Sequence, residues 1–468
     1  MTAPTGTLEG AAADPVEAAE AAAWPTAALG EHAGDDGAAE GAAADLGGYG
    51  HGCSQAREPV SDWARDFDHV DPHYAAHAPE IWDQLRGECP VAHSDRYGGA
   101  WLPVRHADVC AIAKDTDTFS SQGVVVHDGR PEIPAPVGFA PPITSDPPFH
   151  RIAREFLLPA FAPKPIEAKR ESTRQTCREL LDELLGDVET GRSDIVDAAL
   201  CYTQHIPVRV IADMLGVPRS DGELFRLFIH RIMEQPGTEM RVEYEDSIDH
   251  YLDKLIAERA EEPRDDLISH MTHATIAGQP LEHDHVLGTC GLLIVAGVDT
   301  TWSAIGASLW HMAQHPEHRR RWIADPQVRP FAVEEFLRFY APVTMARLVA
   351  GDTEFAGRSM HANDWVLLPF PAANRDPEAF EDAGEFIIDR RRNRHVAFGL
   401  GIHRCLGSNL ARMELAVALE EWMARVPDFE LADPDSVTWS TGQIRGPRKL
   451  PLRITGPLRG RANSETQL

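Results

Sequence analysis

Basic residues are scarce in this chain and absent from its beginning. Across 468 residues there are 44 Lys and Arg against 73 Asp and Glu, a formal net charge of −29. That sign excludes nucleic acid as a partner, because phosphate contacts need cationic side chains. It also favours solubility at neutral pH. The first 56 residues hold no Lys or Arg, so the basic n-region of a secretory signal is missing. Long apolar runs are missing too. A bilayer span needs about 18 consecutive apolar residues, and the best candidate, residues 292–305, is broken by Gly297 and Asp299. Cysteines are few and scattered: Cys53, Cys89, Cys110, Cys177, Cys201, Cys290 and Cys405. None form a C-x-x-C pair, which excludes zinc ribbons and the C-x-x-C-H attachment motif. A disulfide framework is not expected in a chain this long. The expectation is a cytoplasmic protein with no membrane anchor.

What is present supports a substantial core. Hydrophobic residues make up 43% of the chain. Residues 1–58 stand apart, rich in Ala, Gly and acids with few large apolar side chains, and read as a disordered tail. Residues 59–458 read as one globular, mainly helical domain with small β-sheets, followed by a flexible tail at 459–468. Short strands are expected near 100–104 (AWLPV) and 365–370 (WVLLPF). Gly and Pro punctuate residues 120–148, a long loop of the kind that carries function. The longest helix is expected over 282–315, closed by Pro316. It would span about 50 Å and, being apolar on most faces, would be buried. A second helix is expected over 327–340, and a third directly after Cys405.

Three short stretches carry chemistry. In FGLGIHRCLG, residues 398–407, Cys405 stands before a helix, where free N–H groups and the helix dipole favour a thiolate. Gly401 and Gly407 permit close backbone approach. Inert thiol, nucleophile and metal ligand all remain open from these residues alone. A cysteine hydrolase is disfavoured, since His403 sits too near in sequence to serve as an oriented base. In AGVDTT, Ala296 and Gly297 open a groove beside the central helix, with Asp299 and Thr300 in an apolar stretch. They are read either as a proton relay or as a back-bonded hydroxyl beside a packing salt bridge. Glu335 and Arg338 in EEFLR stand at i, i+3, the spacing of an ordinary surface ion pair.

The three together, in this order, resemble the cytochrome P-450 family, over about residues 60–458. The resemblance is to its soluble bacterial class and implies a fold with haem b held between the long central helix and the Cys-loop helix. Cys405 is then the proximal iron ligand, a thiolate that pushes electron density toward the metal. Leu406 and Gly407 would donate N–H groups to the sulfur, and Phe398 would pack against the proximal face. His150 and Arg154 of DPPFHRIAR, together with Arg347 and His403, would meet the propionates, and Ala296 would face the cofactor. Glu335 and Arg338 become structural, locked to the Arg392 or Asn393 region.

The implied reaction is monooxygenation of a lipophilic small molecule by O2, with Asp299 and Thr300 managing protons. Val295, Val343 and Thr344 are expected pocket walls, with residues 120–148 over the haem and 225–251 as a lid. No fused reductase is evident, so the electrons are expected from NAD(P)H through a ferredoxin reductase and a ferredoxin. The ferredoxin would dock on Arg391, Arg392, Arg394 and Arg404, and the protein would act as a monomer. A peroxide-driven or bond-rearranging haem-thiolate enzyme and a non-catalytic sensor are the alternatives. The retained Asp299–Thr300 pair weighs against the first.

Overall fold

The computed structural model describes residues 58–126, 139–218, 221, 225, 248–276 and 278–460. The expected N-terminal tail, apart from Glu58, lies outside these, as do the centre of the 120–148 loop, most of the 225–251 segment and residues 461–468. In chain order the principal elements begin with α1 (Pro72–Glu88), β1 (Val91–Ser94), β2 (Ala100–Pro103), α2 (His106–Lys114) and β3 (Phe119–Ser120). The helices α3 (Phe149–Glu155), α4 (Arg170–Glu189), α5 (His205–Leu215) and α6 (Ile248–Glu261) follow. Then come α7 (His283–Gln314), α8 (Pro316–Ala324), α9 (Arg329–Phe339), β4 (Thr344–Val349), β5 (Trp365–Pro369) and α10 (Ser408–Arg425).

Helix α7 is the expected central helix, 32 residues long. It is apolar and long enough to cross a membrane, yet 72% of its most apolar window is buried in the protein. Leu293, Ile294, Val298, Ile305 and Leu309 lie in the main core, where α7 packs against α5, α6 and α10. Gly297 sets the approach of α5, since a Cβ there would stand 2.7 Å from Ile211 Cδ1. Pro316 starts α8 and ends α7, because proline has no N–H to continue the ladder.

The largest sheet has the order β1–β2–β5–β4–β3. β5 pairs parallel to β2 and antiparallel to β4, with Val366 opposite Arg347 and Leu368 opposite Met345. All five β5 residues are buried, as a central strand covered on both faces requires. The sheet packs over a second core that includes Trp82, Leu102, Trp365 and Leu367.

Two boundaries differ from expectation. The helix expected over 327–340 is a 3-10 turn, Pro326–Val328, followed by α9. The helix expected directly after Cys405 starts three residues later, at Ser408, with Gly407 as its cap. The Cys405 backbone is instead tied down by its N–H bond to Phe398 O, 2.7 Å.

Within α10, Glu414 is fully buried, and neither of its carboxylate oxygens has a hydrogen-bond partner. Burial raises its pKa from 4.5 to about 8. Between those two values the native state holds a proton that the unfolded chain has released, so stability falls as pH rises through this window. Glu414→Gln should therefore raise Tm more at pH 8 than at pH 5 in thermal melts. Equal shifts at both values would show that the carboxyl is not held protonated.

Candidate functional site

A cavity of about 230 Å³ lies between α7, the Cys loop and β4. Its lining is mostly apolar. Along α7 it takes Leu293, Ala296, Gly297, Thr300, Thr301 and Ala304, which fall on one helical stripe. The Cys loop contributes Phe398, His403, Cys405 and Gly407, and the β4 side contributes Val343, Met345 and Arg347.

The loop geometry presents the sulfur. Gly399 and Gly401 both take positive φ, 66° and 65°, a region disfavoured for residues with a Cβ. A Cβ on Gly401 would also stand 3.1 Å from Ala113 O, so this glycine serves packing against α2. Gly407 is the glycine that serves the thiol, donating its N–H to the sulfur. The cavity reaches Cys405, which therefore has accessible surface, yet protein surrounds it on the other sides. That burial raises the thiol pKa, opposed by the Gly407 N–H and by the charges of Arg154, Arg412 and Arg404. The thiol is thus held protonated until a metal displaces the proton.

At one side of the cavity, His150, Arg154, Arg347 and His403 crowd together. The His150 and His403 rings lie 4.2 Å apart, edge to face. His403 Nε2 is 2.8 Å from Ser121 Oγ, a partner that the sequence reading did not include. Burial, then the charges of Arg154 and Arg347, lowers His150 to about 4. Burial and the same two charges, with His150, push His403 down as well. Arg347 is lowered by burial to about 10, eased by the charge of Asp146, whose carboxylate is already engaged by Ser120 and Ser121. His150 Nε2 and Arg347 Nε are buried with no hydrogen-bond partner. Orphaned donors beside the guanidinium groups of Arg154 and Arg347 fit a ligand with carboxylates at its edge. Next to an apolar slot and a metal-seeking thiol, that ligand fits haem.

Three expected residues lie elsewhere. Val295 is off the cavity lining because the helical stripe runs through 293, 296, 297 and 300, and residue 295 points aside. Thr344 is off it because strand side chains alternate: Val343, Met345 and Arg347 line the cavity, and Thr344 is buried behind it. Asp299 is turned away from the cavity. Its carboxylate meets Arg448 Nη2 at 2.6 Å, and Arg448 also donates to Ser303 Oγ at 3.0 Å. Thr300 does line the cavity, with its hydroxyl donating back to Ala296 O at 2.8 Å.

Glu335 and Arg338 form no surface pair, as both are fully buried. Arg338 donates twice to Glu335, each at 2.8 Å, and to the carbonyls of Asn374, Ala383 and Glu385. Glu335 also accepts from Arg390 Nε, Ile387 N and Asn393 Nδ2. The arginine in the lock is Arg390, whereas Arg392 is exposed. Sequence reasoning also missed Glu334, which grips Arg412 at 2.6 and 2.9 Å and His395 at 3.0 Å. Arg412 lies 4.4 Å from the Phe398 ring. One helical turn of α9 thus holds both the segment before the Cys loop and the helix after it. The paired acids of EEFLR were the visible signal.

Arg391, Arg392 and Arg394 line a separate surface concavity with His106, Asp376 and Glu378, and Arg404 is not part of that lining. Arg391 stacks on the Phe331 ring at 3.9 Å.

The family model for cytochrome P450 matches residues 208–325 and 330–436. The polyketide biosynthesis cytochrome P450 PksS of Bacillus subtilis is 31% identical over 391 residues, 80% of this chain and 95% of that protein. Mycinamicin IV hydroxylase/epoxidase of Micromonospora griseorubida is 32% identical over 361 residues, 75% of this chain and 89% of that protein. Among solved structures, PksS superposes with a TM-score of 0.73 at 29% identity, covering 83% of this chain and 100% of that one. A mutant of P450 EryK in complex with erythromycin B superposes with a TM-score of 0.71 at 29% identity, covering 83% and 98%.

Proposed function

The chain belongs to the cytochrome P450 family of haem-thiolate monooxygenases, and on that premise we propose that it hydroxylates a lipophilic small molecule at the expense of O2. In the net reaction, RH, O2, two electrons and two protons give ROH and water. Haem b, once bound, supplies the activation of dioxygen at iron. The observation that carries the reading is that Cys405 and the stripe of Ala296, Gly297 and Thr300 line one largely apolar cavity.

The chain's own residues then take these roles. Cys405 ligates through its sulfur, and the Gly407 N–H steadies the negative charge there. Arg154, Arg347, His150 and His403 hold the cofactor's carboxylates. Val343, Met345 and Leu292 supply apolar walls that orient the substrate and exclude water. Thr300 holds or passes a proton at its hydroxyl. Asp299 joins in that transfer when its ion pair with Arg448 opens. Residues 59–458 form the haem domain of a cytoplasmic monomer. Electrons come from NAD(P)H through a ferredoxin reductase and a ferredoxin, which docks on the surface of Arg391, Arg392, Arg394 and Arg404. The relative named mycinamicin IV hydroxylase/epoxidase and the P450 EryK mutant in complex with erythromycin B support hydroxylation of an organic small molecule.

The test is optical. The purified protein, reduced and exposed to carbon monoxide, should give the strongly red-shifted Soret band of thiolate-ligated haem, and a native preparation without it would overturn the reading. Thr300→Ala should keep that band yet divert electrons. With surrogate ferredoxin and reductase, hydrogen peroxide formed per NAD(P)H should rise several-fold as the product yield falls. A proton-handling hydroxyl contributes about 10²–10⁴-fold to such steps. An unchanged peroxide ratio would remove Thr300 from proton handling.

A further inference from the structure

We propose that His311, His315 and His318 form a site for a divalent transition-metal ion such as Zn²⁺, separate from the haem cavity. The three come from the end of α7 and the start of α8, in the sequence HMAQHPEH. His311 lies in the last turn of α7 and His315 caps its C-terminal end, their rings stacked 4.2 Å apart, and the break at Pro316 turns His318 back toward them. One ligand nitrogen from each lies within 4.8 Å of the others, and among the described residues this is the one such group of three potential ligands. No residue of the set lines the cavity that holds Cys405.

The surroundings are those of a metal site. Neutral imidazole is the ligating form, and His311 is buried at the inner end of the set. His311 Nδ1 stands 2.7 Å from the Tyr340 hydroxyl. With its Nδ1 proton given to that oxygen, His311 is left with its Nε2 lone pair facing inward. His315 Nδ1 stands 3.2 Å from Glu317 Oε1, which leaves its Nε2 as donor in the same way. Carboxylate and hydroxyl partners of this kind orient the histidines of metal sites.

His311 Nε2 and His318 Nδ1 face each other at 2.9 Å, with the two rings only 8° from parallel. Only one of these nitrogens can carry the proton between them, and a metal ion would displace it and use both lone pairs. Zinc–nitrogen bonds of about 2.0–2.1 Å place two ligands of a tetrahedral ion about 3.4 Å apart. Each ring therefore has to move by a few tenths of an ångström. His315 and His318 are half-exposed, which provides both that freedom and an entry path. Three imidazoles suit Zn²⁺, Ni²⁺, Co²⁺ and Cu²⁺, with a water or Glu317 as fourth ligand. Phe386 packs on the His311 ring at 4.0 Å, so a bound ion would pin the end of α7 to the segment gripped by Glu335.

The experiment uses tag-free, full-length haem protein stripped with EDTA and titrated with ZnCl2. Calorimetry should show one saturable equivalent per chain, and Tm should rise by about 3 °C at zinc a hundredfold above Kd. His318→Gln and His315→Gln should each weaken that binding by at least about tenfold and leave the haem spectrum unchanged. Absence of a saturable equivalent, or zinc binding by both variants as tight as that of the wild type, would overturn the site and leave a metal-free imidazole chain. Because the haem spectrum is read separately, failure here is distinguishable from failure of the monooxygenase reading.

Discussion

Glu335→Ala should yield protein that incorporates little or no haem. The carboxylate is fully buried and accepts from Arg338, Arg390, Ile387 and Asn393. Its removal leaves two guanidinium groups in the interior with their charge uncompensated. Breaking a buried pair by deleting one partner costs about 3–5 kcal/mol, a large share of the roughly 5–15 kcal/mol that holds a domain folded. An exposed i, i+3 pair would cost only about 0.2–0.5 kcal/mol, so the size of the effect separates the two descriptions. The damage should concentrate where the network acts, on residues 374–393 and the Cys loop that follows. Haem-to-protein ratio and Tm measure it. Glu335→Gln, which keeps the shape and loses the charge, should fall between alanine and wild type. Near-normal haem content and Tm in the alanine variant would remove this network as the support of the Cys loop.

Cys405→Ser should abolish the red-shifted band of the reduced carbon monoxide complex. A hydroxyl is a far weaker acid than a thiol, so it cannot supply the anionic sulfur-type ligand that pushes electron density onto iron. Changes to groups that merely orient metal ligands cost about 10–100-fold. Loss of the ligand itself should lower monooxygenation by more than about a hundredfold. Haem retention should fall less, since the apolar walls, the His150 imidazole and the cations Arg154 and Arg347 are untouched. Arg347→Ala gives the complementary pattern: weaker haem retention with the band position unchanged in whatever haem remains. A Cys405→Ser protein with the wild-type band would place the iron ligand elsewhere.

The cysteine loop was legible because its chemistry is local: glycines, cysteine and the following helix lie within a few positions of one another. The long central helix was legible for a similar reason, as its apolar character persists over many turns. What the sequence concealed depends on direction. Three consecutive arginines precede Asn393, and which of them meets Glu335 is set by a turn that propensity does not specify. Asp299 finds Arg448, 149 positions away, and no local pattern announces such a pairing. Val295 and Thr344 stand next to lining residues in sequence, but the periods of helix and strand turn both away from the cavity. Glu414 lies in a helix whose apolar and polar residues do not separate onto two faces, so its burial became visible only in the packed structure. The HMAQHPEH run was in plain view, yet it becomes a constellation only once Pro316 turns the chain and Tyr340 arrives from α9.

The alternation along β4 reaches beyond where its side chains point. Val343, Met345 and Arg347 share the cavity face, while the backbone of Thr344 to Leu348 is occupied in pairing with β5. Anchor and wall therefore sit on one ruler with a two-residue spacing, held in register by bonds that do not involve side chains. Exchanges at 343 and 345 can resize the chamber while Arg347 keeps its place. This is a template on which new substrate ranges can evolve, or be engineered, without rebuilding the cofactor seat.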